Sequence, residues 1–372
     1  MKTHIWIVDL KGRKIRQIHR RTPIGSAHSG LTTPSRRHTR TTVKIPQNIK
    51  EQTNMAANGR IDVHHHVLPE FYIKAQKGAG IGGTAYRGFP EWTPSHSMSV
   101  MDNENIAAAI LSFTSPGIWF GDIAQTRDLA RQCNDYLAGL TADHSGRLGG
   151  FASLPLPDID ASIEECSRAL DDLELDGITL LTSIDEKYIG HPDFEPLYSE
   201  LNRRKAVVFI HPCYPPGTEA NGWDIPRMLI DYPFETTRVA VNLILQGVVQ
   251  KYPNIKFILS HSGGTLPFLA HRVAIFDKDM PFRDNYPEGA MAYFRKFWFD
   301  TALSGHPVPL AGLTEIADKS RILFGTDYPY ISIDKVTAES NGFDSWDGFT
   351  EAERAAVNRG NAEVLFPRFA NS

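Results

Sequence analysis

Cysteine is scarce in this chain. Three thiols in 372 residues, Cys133, Cys166 and Cys213, are odd in number and widely spaced. That excludes a disulfide framework and fits a reducing compartment, so a cytosolic protein is expected. Long apolar runs are missing as well. None approaches the ~18–20 residues of a membrane-spanning helix, and no membrane partner is expected. No Gly-rich phosphate loop follows the first strand-like segment, which counts against a doubly wound open sheet binding a nucleotide. Finally, no acidic residue occurs from Leu10 to Lys50, a stretch with eleven Lys/Arg.

That last absence divides the chain. Residues 1–54 carry twelve Lys/Arg against Asp9 and Glu51, a net of +10, which leaves −14 on residues 55–372 of a chain whose total is −4. A body that acidic is a poor nucleic-acid binder, and an anionic substrate would need local positive charge, which a bound metal can supply. Residues 1–54 lack the periodicity of a core element and are expected to be a disordered basic extension. Such a segment reads as an organellar transit peptide, as a tail for nucleic acid or membrane, or as a misassigned gene start upstream of a true initiator at Met55. The run Met55-Ala56-Ala57-Asn58-Gly59-Arg60, leading directly into the first strand, favours the third.

From residue 55 onward, short apolar runs alternate with helical patterns. Strands are expected at Ile61 onward, Ala107–Phe113, Gly149–Leu154, Gly177–Leu181, Ala206–Ile210, Ile255–Leu259, Phe297–Phe299 and Ile322–Phe324. Helices are expected at Asp122–Leu140, after an N-cap at Asp158, at Phe194–Lys205, through Val241–Val249, around Leu269 and Val273, and at Glu351–Val357. The stretch from Pro69 to Ser97, rich in Gly, Pro and aromatics, reads as a long irregular loop. Near-continuous apolar strands separated by amphipathic helices indicate a parallel sheet covered by helices. Eight such units suit an α/β fold, a (β/α)8 barrel with a loop insertion after strand 1. Residues 55–372 form that domain.

In such a barrel the chemistry collects at the C-terminal strand ends. Strand 1 ends in His64-His65-His66, strand 5 in His211, strand 6 in His261 and strand 8 in Asp327. Side chains at i and i+2 of a strand share a face, so His64 and His66 converge on one metal ion while His65 turns away, toward the layer between barrel and helices. Each of these residues alone has a plain structural reading, as a core histidine, a turn residue or a helix cap; four strand ends on one rim do not. Three imidazoles and a carboxylate suit Zn2+ or Mn2+ with positions open for water or substrate. His64, His66, His211 and Asp327 are therefore the candidate ligands, and His261 is a fifth ligand or an acid/base beside the metal. Arg87 and Trp92, on the loop after strand 1, and Tyr328, after strand 8, are candidate substrate contacts. Cys213 and Trp119 lie near the same rim.

The ordered set Asp62-x-His64-x-His66, His211-Pro212, Ser260-His261-x-Gly263-Gly264 and Gly325-x-Asp327-x-Pro329 resembles the amidohydrolase superfamily. More narrowly it resembles the metal-dependent, non-oxidative decarboxylases related to aminocarboxymuconate semialdehyde decarboxylase. The resemblance covers residues 60–370. The phrases Asn202-Arg203-Arg204-Lys205 and Asp231-Tyr232-Pro233-Phe234-Glu235-Thr236-Thr237-Arg238 are similar to fungal 6-methylsalicylate decarboxylases. Strand 4 offers no lysine to bridge two metals, so a mononuclear site follows. The resemblance implies decarboxylation of a small ortho-hydroxybenzoate such as 6-methylsalicylate in secondary metabolism, and a homodimer. It also implies Asp327 as proton donor with His261 in support; the competing assignment makes His261 the acid. The alternatives are a mononuclear metal-dependent hydrolase of a lactone or amide and a non-catalytic metal-binding barrel.

Overall fold

The computed structural model describes residues 59–84, 87–217 and 225–370, and, in the N-terminal segment, strand residues 5–8 and 14–18. Two compact units divide after Gln47. In the first, Ile5–Val8 pairs antiparallel with Lys14–Ile18. The rest of the basic extension, and Met55 after it, lie outside the described residues.

The second unit is a (β/α)8 barrel. Its strands are β1 (Arg60–His66), β2 (Ile106–Ser112), β3 (Leu148–Ser153), β4 (Gly177–Leu181), β5 (Val207–His211), β6 (Lys256–Leu259), β7 (Trp298–Asp300) and β8 (Ile322–Leu323). Each pairs in parallel with the next in chain order. Closure comes from the residues just past β8: Val63 N donates to Phe324 O (3.0 Å), Asp327 N to His64 O (2.7 Å) and His66 N to Tyr328 O (2.7 Å). All eight expected strands are present. They are apolar on both faces because both faces are covered. One face, with Ile61, Val63, Ile110, Phe151, Phe209 and Ile258, fills the barrel; the other, with Leu111, Ile178, Leu180, Val208 and Leu259, meets the helices. Phe366 and Phe369 join the barrel interior from the C-terminal turn. Arg359 and Arg368 fasten that turn to the carbonyls of Gly59 and Leu148, where β1 and β3 begin. The end opposite the histidines is thereby plugged.

The helical expectations hold where the apolar period is clear. Ile123–Asp143 buries Leu129, Cys133, Leu137 and Leu140, and Asp122 caps it through Gln125 N. Asp158 caps Ile159–Ser167 through Ala161 N. Two expectations are corrected. The stretch after β1 is not one irregular loop: Glu70–Gly78 is helical, with Tyr72 and Gln76 buried, and Pro94–Asn103 is a second helix capped by Thr93. Helices of about two and a half turns, flanking a run of glycines, are too short for their period to stand out. After β5, the helix expected to run through Val249 stops at Leu245 and restarts at Val248, because Gly247 takes a left-handed conformation (φ 75°). Of the expected apolar face, Ile244, Val248 and Val249 are buried, whereas Val241 and Leu245 are only half-buried and Val239, Ala240 and Leu243 take the core positions.

Candidate metal centre

The site begins with a carboxylate. Asp62, fully buried, accepts from the backbone N–H of His64 (3.0 Å) and Thr326 (3.0 Å) through one oxygen. Through the other it accepts from Thr326 Oγ1 (2.6 Å) and pairs with His65 Nδ1 (3.0 Å). It thus ties β1 to the end of β8, and the ladder of β1 shifts register between Asp62 and His65. His64 and His66 face the barrel mouth. His65 turns outward, its Nε2 2.8 Å from Ser97 Oγ on the helix Pro94–Asn103.

Each inward imidazole is held by its far nitrogen. His64 Nδ1 meets Asp300 Oδ2 at 2.8 Å, His66 Nδ1 meets Ser112 Oγ at 2.9 Å, and His211 Nδ1 meets Thr114 Oγ1 and Pro212 O, both at 2.8 Å. A carboxylate or carbonyl on Nδ1 keeps the proton there and leaves Nε2 as a lone-pair donor. The Nε2 atoms of His64 and His66 are 3.0 Å apart, and Asp327 Oδ1 lies 3.3 and 3.1 Å from them. With bonds of about 2.1 Å, ligands 90–109° apart are separated by about 3.0–3.4 Å. The spacing is that of donors around one cation, and the four ligand atoms of His64, His66, His211 and Asp327 all lie within 4.8 Å of one another. All four residues are buried.

The electrostatics agree with that geometry. Burial works against charge on His64, but the Asp300 and Asp327 carboxylates overcome it and raise its pKa to about 10. Burial lowers His66 to about 4, and burial with three neighbouring imidazoles holds His211 well below the usual histidine range. Both are thereby kept neutral, as metal ligation would require. Burial opposes the Asp327 carboxylate, yet the imidazoles of His261, His64 and His66 beside it hold its pKa well below the ordinary range.

His261 completes the rim. Its Nε2 is 3.6 Å from Asp327 Oδ2, and neither ring nitrogen has a hydrogen-bond partner. Its ring centroid lies 4.8 Å from that of His64. The backbone here is strained: His261 (φ 55°), Ser262 (φ 56°) and Asp327 (φ 66°) are all left-handed, a conformation that persists only where surrounding contacts hold it. For His261 and Asp327 those contacts include His261 N to Asp300 Oδ1 (2.9 Å) and Asp327 N to His64 O. Gly325 is needed for a different reason. A Cβ there would sit 2.8 Å from His64 Cβ and 3.2 Å from Asp300 Cβ, so only glycine lets those two side chains meet in front of β8.

The expected substrate contacts fare differently. Arg87 is exposed and donates from Nη2 to Tyr330 O (2.9 Å), which ties the loop after β1 to the chain after β8. Trp92 and Tyr328 are corrected. The Trp92 indole N–H donates to Ser97 Oγ (2.9 Å), and the Tyr328 ring packs 5.2 Å from His65, so both stand behind β1, away from the cluster. Three residues were missed. Asp300, fully buried, orients His64 and pins the His261 backbone; it ends β7, and the strand-end rule that selected the ligands would have selected it too. Tyr330 packs edge-on against His66 (5.5 Å), and Tyr232 against His211 (6.2 Å) with its hydroxyl on Ser115 Oγ (2.9 Å). Nothing in sequence separates Tyr330 from Tyr328; the turn at Asp327 decides which one faces the cluster.

The sequence profile of the amidohydrolase family matches residues 61–368. The chain belongs to that family. It is 42% identical to the decarboxylase yanB of Aspergillus niger, over 83% of this chain and 88% of that protein. It is 38% identical to the 6-methylsalicylic acid decarboxylase of Penicillium expansum, over 83% and 96%. A crystal structure of a dihydroxybenzoic acid decarboxylase from a Polaromonas species, with bound manganese and the inhibitor 2-nitroresorcinol, superposes with a TM-score of 0.72 at 25% identity, over 83% of this chain and 97% of that one. Within the family this chain is a decarboxylase. Its buried three-histidine, one-aspartate cluster fits a divalent metal ion. Among the described residues no helix is long and apolar enough to cross a membrane.

Proposed function

We propose that this enzyme removes CO2, without oxidation, from a small aromatic acid of the ortho-hydroxybenzoate type, with 6-methylsalicylate giving 3-methylphenol as the leading case. The observation that carries the proposal is the convergence of His64, His66, His211 and Asp327 within 4.8 Å at the barrel mouth, with His261 beside them. These four residues hold one Zn2+ or Mn2+; manganese in the dihydroxybenzoic acid decarboxylase supports the second. When bound, the ion supplies a Lewis acid and template for the substrate's carboxylate and phenolic oxygen.

The chain's own residues handle the proton. Expelling CO2 directly would leave an aryl carbanion. Protonating the ring carbon that bears the carboxylate avoids it: the C–H bond forms, the C–C bond then breaks, and its electron pair restores the aromatic ring. Asp327 and His261 are the catalytic pair. The Asp327 carboxyl is held ionised by its three histidine neighbours, which supports His261 as the residue that delivers the proton and Asp327 as its acceptor-side partner. That reverses the order the family resemblance implied. His261 stands next to Asp327 with both nitrogens uncommitted, as a group that must first take and then give a proton requires. Arg87, held on the rim through Tyr330, is placed to attract an incoming anion. The buried thiols Cys133, Cys166 and Cys213 support a cytosolic setting, and the family resemblance supports a homodimer in secondary metabolism.

The test is metal analysis of the purified protein, followed by incubation with a panel of hydroxybenzoates in 18O-labelled water. Release of CO2 and the matching phenol, with no label in the phenol, is expected. A labelled hydrolysis product from a lactone or amide, with no CO2 from any acid, would replace this reading with the hydrolase. The pair is separated by H261N and D327N: solvent deuterium still entering the product ring in H261N would move the donor role to Asp327.

A further inference from the structure

A cleft of about 200 Å³ opens at the C-terminal ends of β2 to β5, with neither Arg87 nor Tyr328 in its walls. Two short chain links join its walls to the metal centre. Thr114, which holds His211, lies between the lining residues Phe113 and Ser115, and lining residue Cys213 is two positions past His211. The walls are apolar, with Phe113, Ile118, Leu154 and Leu181. At the base, Thr179 carries a buried hydroxyl with no hydrogen-bond partner. The near wall is fixed in place: Tyr72 donates its hydroxyl to the carbonyls of Thr114 and Gly117 (both 2.9 Å), and Tyr232 donates to Ser115. Gly117, at φ 81°, approaches so closely that a Cβ there would lie 2.6 Å from Leu181 Cδ1.

The charge at this cleft is one-sided. Its mouth carries the exposed carboxylates Asp185 and Glu186, both left-handed in the turn between two short strands, and among the described residues no Lys or Arg lines it. Arg227 stacks over the outer lining ring Tyr214 at 5.1 Å, outside the lining itself. A second carboxylate entering here would lose water and meet two like charges in the wall itself; an alkyl or hydroxyalkyl group would lose only water it holds weakly. The volume is below the roughly 300–1,000 Å³ of a complete small-molecule pocket, so it suits part of a ligand.

We infer that this cleft receives the neutral ring substituent of a substrate whose single carboxylate is bound at the metal centre, and that it excludes aromatic dicarboxylates. The inference rests on the decarboxylase reading above and narrows it to monocarboxylates bearing a small neutral group. Leu181 sets the depth of the cleft, and Asp185 and Glu186 set its charge preference.

Steady-state kcat/KM of the metal-loaded enzyme is measured on salicylate, 6-methylsalicylate and a hydroxyisophthalate, for wild type, Leu181→Trp and the double variant Asp185→Asn/Glu186→Gln. Leu181→Trp is expected to lower the ratio of 6-methylsalicylate to salicylate at least tenfold. Wild type is expected to leave the dicarboxylate unreacted, and the double variant, whose changes lie on the exposed mouth and spare the fold, to gain turnover of it. A ratio unchanged by Leu181→Trp, or a dicarboxylate consumed by wild type as readily as the monocarboxylates, overturns the inference while leaving the decarboxylase reading in place. No turnover of any acid by metal-loaded wild type overturns both.

Discussion

Asp300→Asn isolates the residue on which two halves of the site depend. Asp300 Oδ2 accepts from His64 Nδ1, while Oδ1 accepts from the backbone N–H of His261 (2.9 Å) and Ala302 (3.0 Å). Asparagine keeps the volume. Its carbonyl can serve the two backbone donors, which directs its NH2 at His64 Nδ1. Two donors then face each other unless His64 moves its proton to Nε2, the atom meant for the metal. Two effects oppose. The variant lowers the His64 pKa from about 10, so a proton competes less for the site. It also removes a negative charge that attracts a divalent ion more strongly than it attracts one proton. The second effect wins, and the net loss should match other residues that orient a metal-bound histidine, about 10- to 100-fold in affinity, or roughly 1.4–2.7 kcal/mol at 1.36 kcal/mol per factor of ten. Chelator competition at several pH values reads this directly. In wild type the His64 proton must leave before the ion binds, so apparent affinity rises with pH up to about 10. In Asp300→Asn the rise should level off near the unperturbed histidine value of about 6.5. Equal affinities with the same pH slope would refute the assigned role of Asp300.

Three further outcomes are expected. His65→Gln should cost about 1–3 kcal/mol in urea unfolding, because Asp62 and Ser97 each lose a buried partner, while metal content stays at wild-type level; a folded but metal-free protein would show the strand register to be wrong. Removing the metal should lower the melting temperature, with restoration by excess ion worth about 2.7 kcal/mol at a hundredfold excess over Kd; a melting curve indifferent to chelator would deny a folded-state site. On helix Glu195–Arg204, Arg203 and then Arg204 hold the Glu200 carboxyl down to about 2 from 4.5. A depressed carboxylate stabilises the fold above its unfolded pKa and loses that contribution as pH falls from about 4.5 toward about 2. Glu200→Gln should therefore be less stable than wild type at pH 7, with the gap closing across that window in acid unfolding.

The barrel was legible in the sequence because its strands are covered on both faces and therefore apolar throughout, and because eight such runs alternate with helical periods. The candidate ligand cluster was legible for a related reason: His64, His66, His211 and Asp327 each stand where an apolar run stops, and the structure brings them together. The same rule applied at β7 points to Asp300, whose bond to His64 crosses 236 positions of chain. What local pattern could not carry is side-chain direction beyond the strand ends. Tyr328 and Tyr330 are chemically alike and two residues apart, yet one packs on His65 and the other on His66. Trp92, a candidate substrate contact in the sequence, instead anchors Ser97 behind β1. Those outcomes are set by left-handed turns at Asp327 and His261, by the glycine at 325 that lets β1 and β7 side chains meet, and by barrel closure itself. A sequence specifies which residues reach the rim through the period of its strands. Only the closed barrel, which brings both chain ends of the sheet together, decides which of them look at the metal.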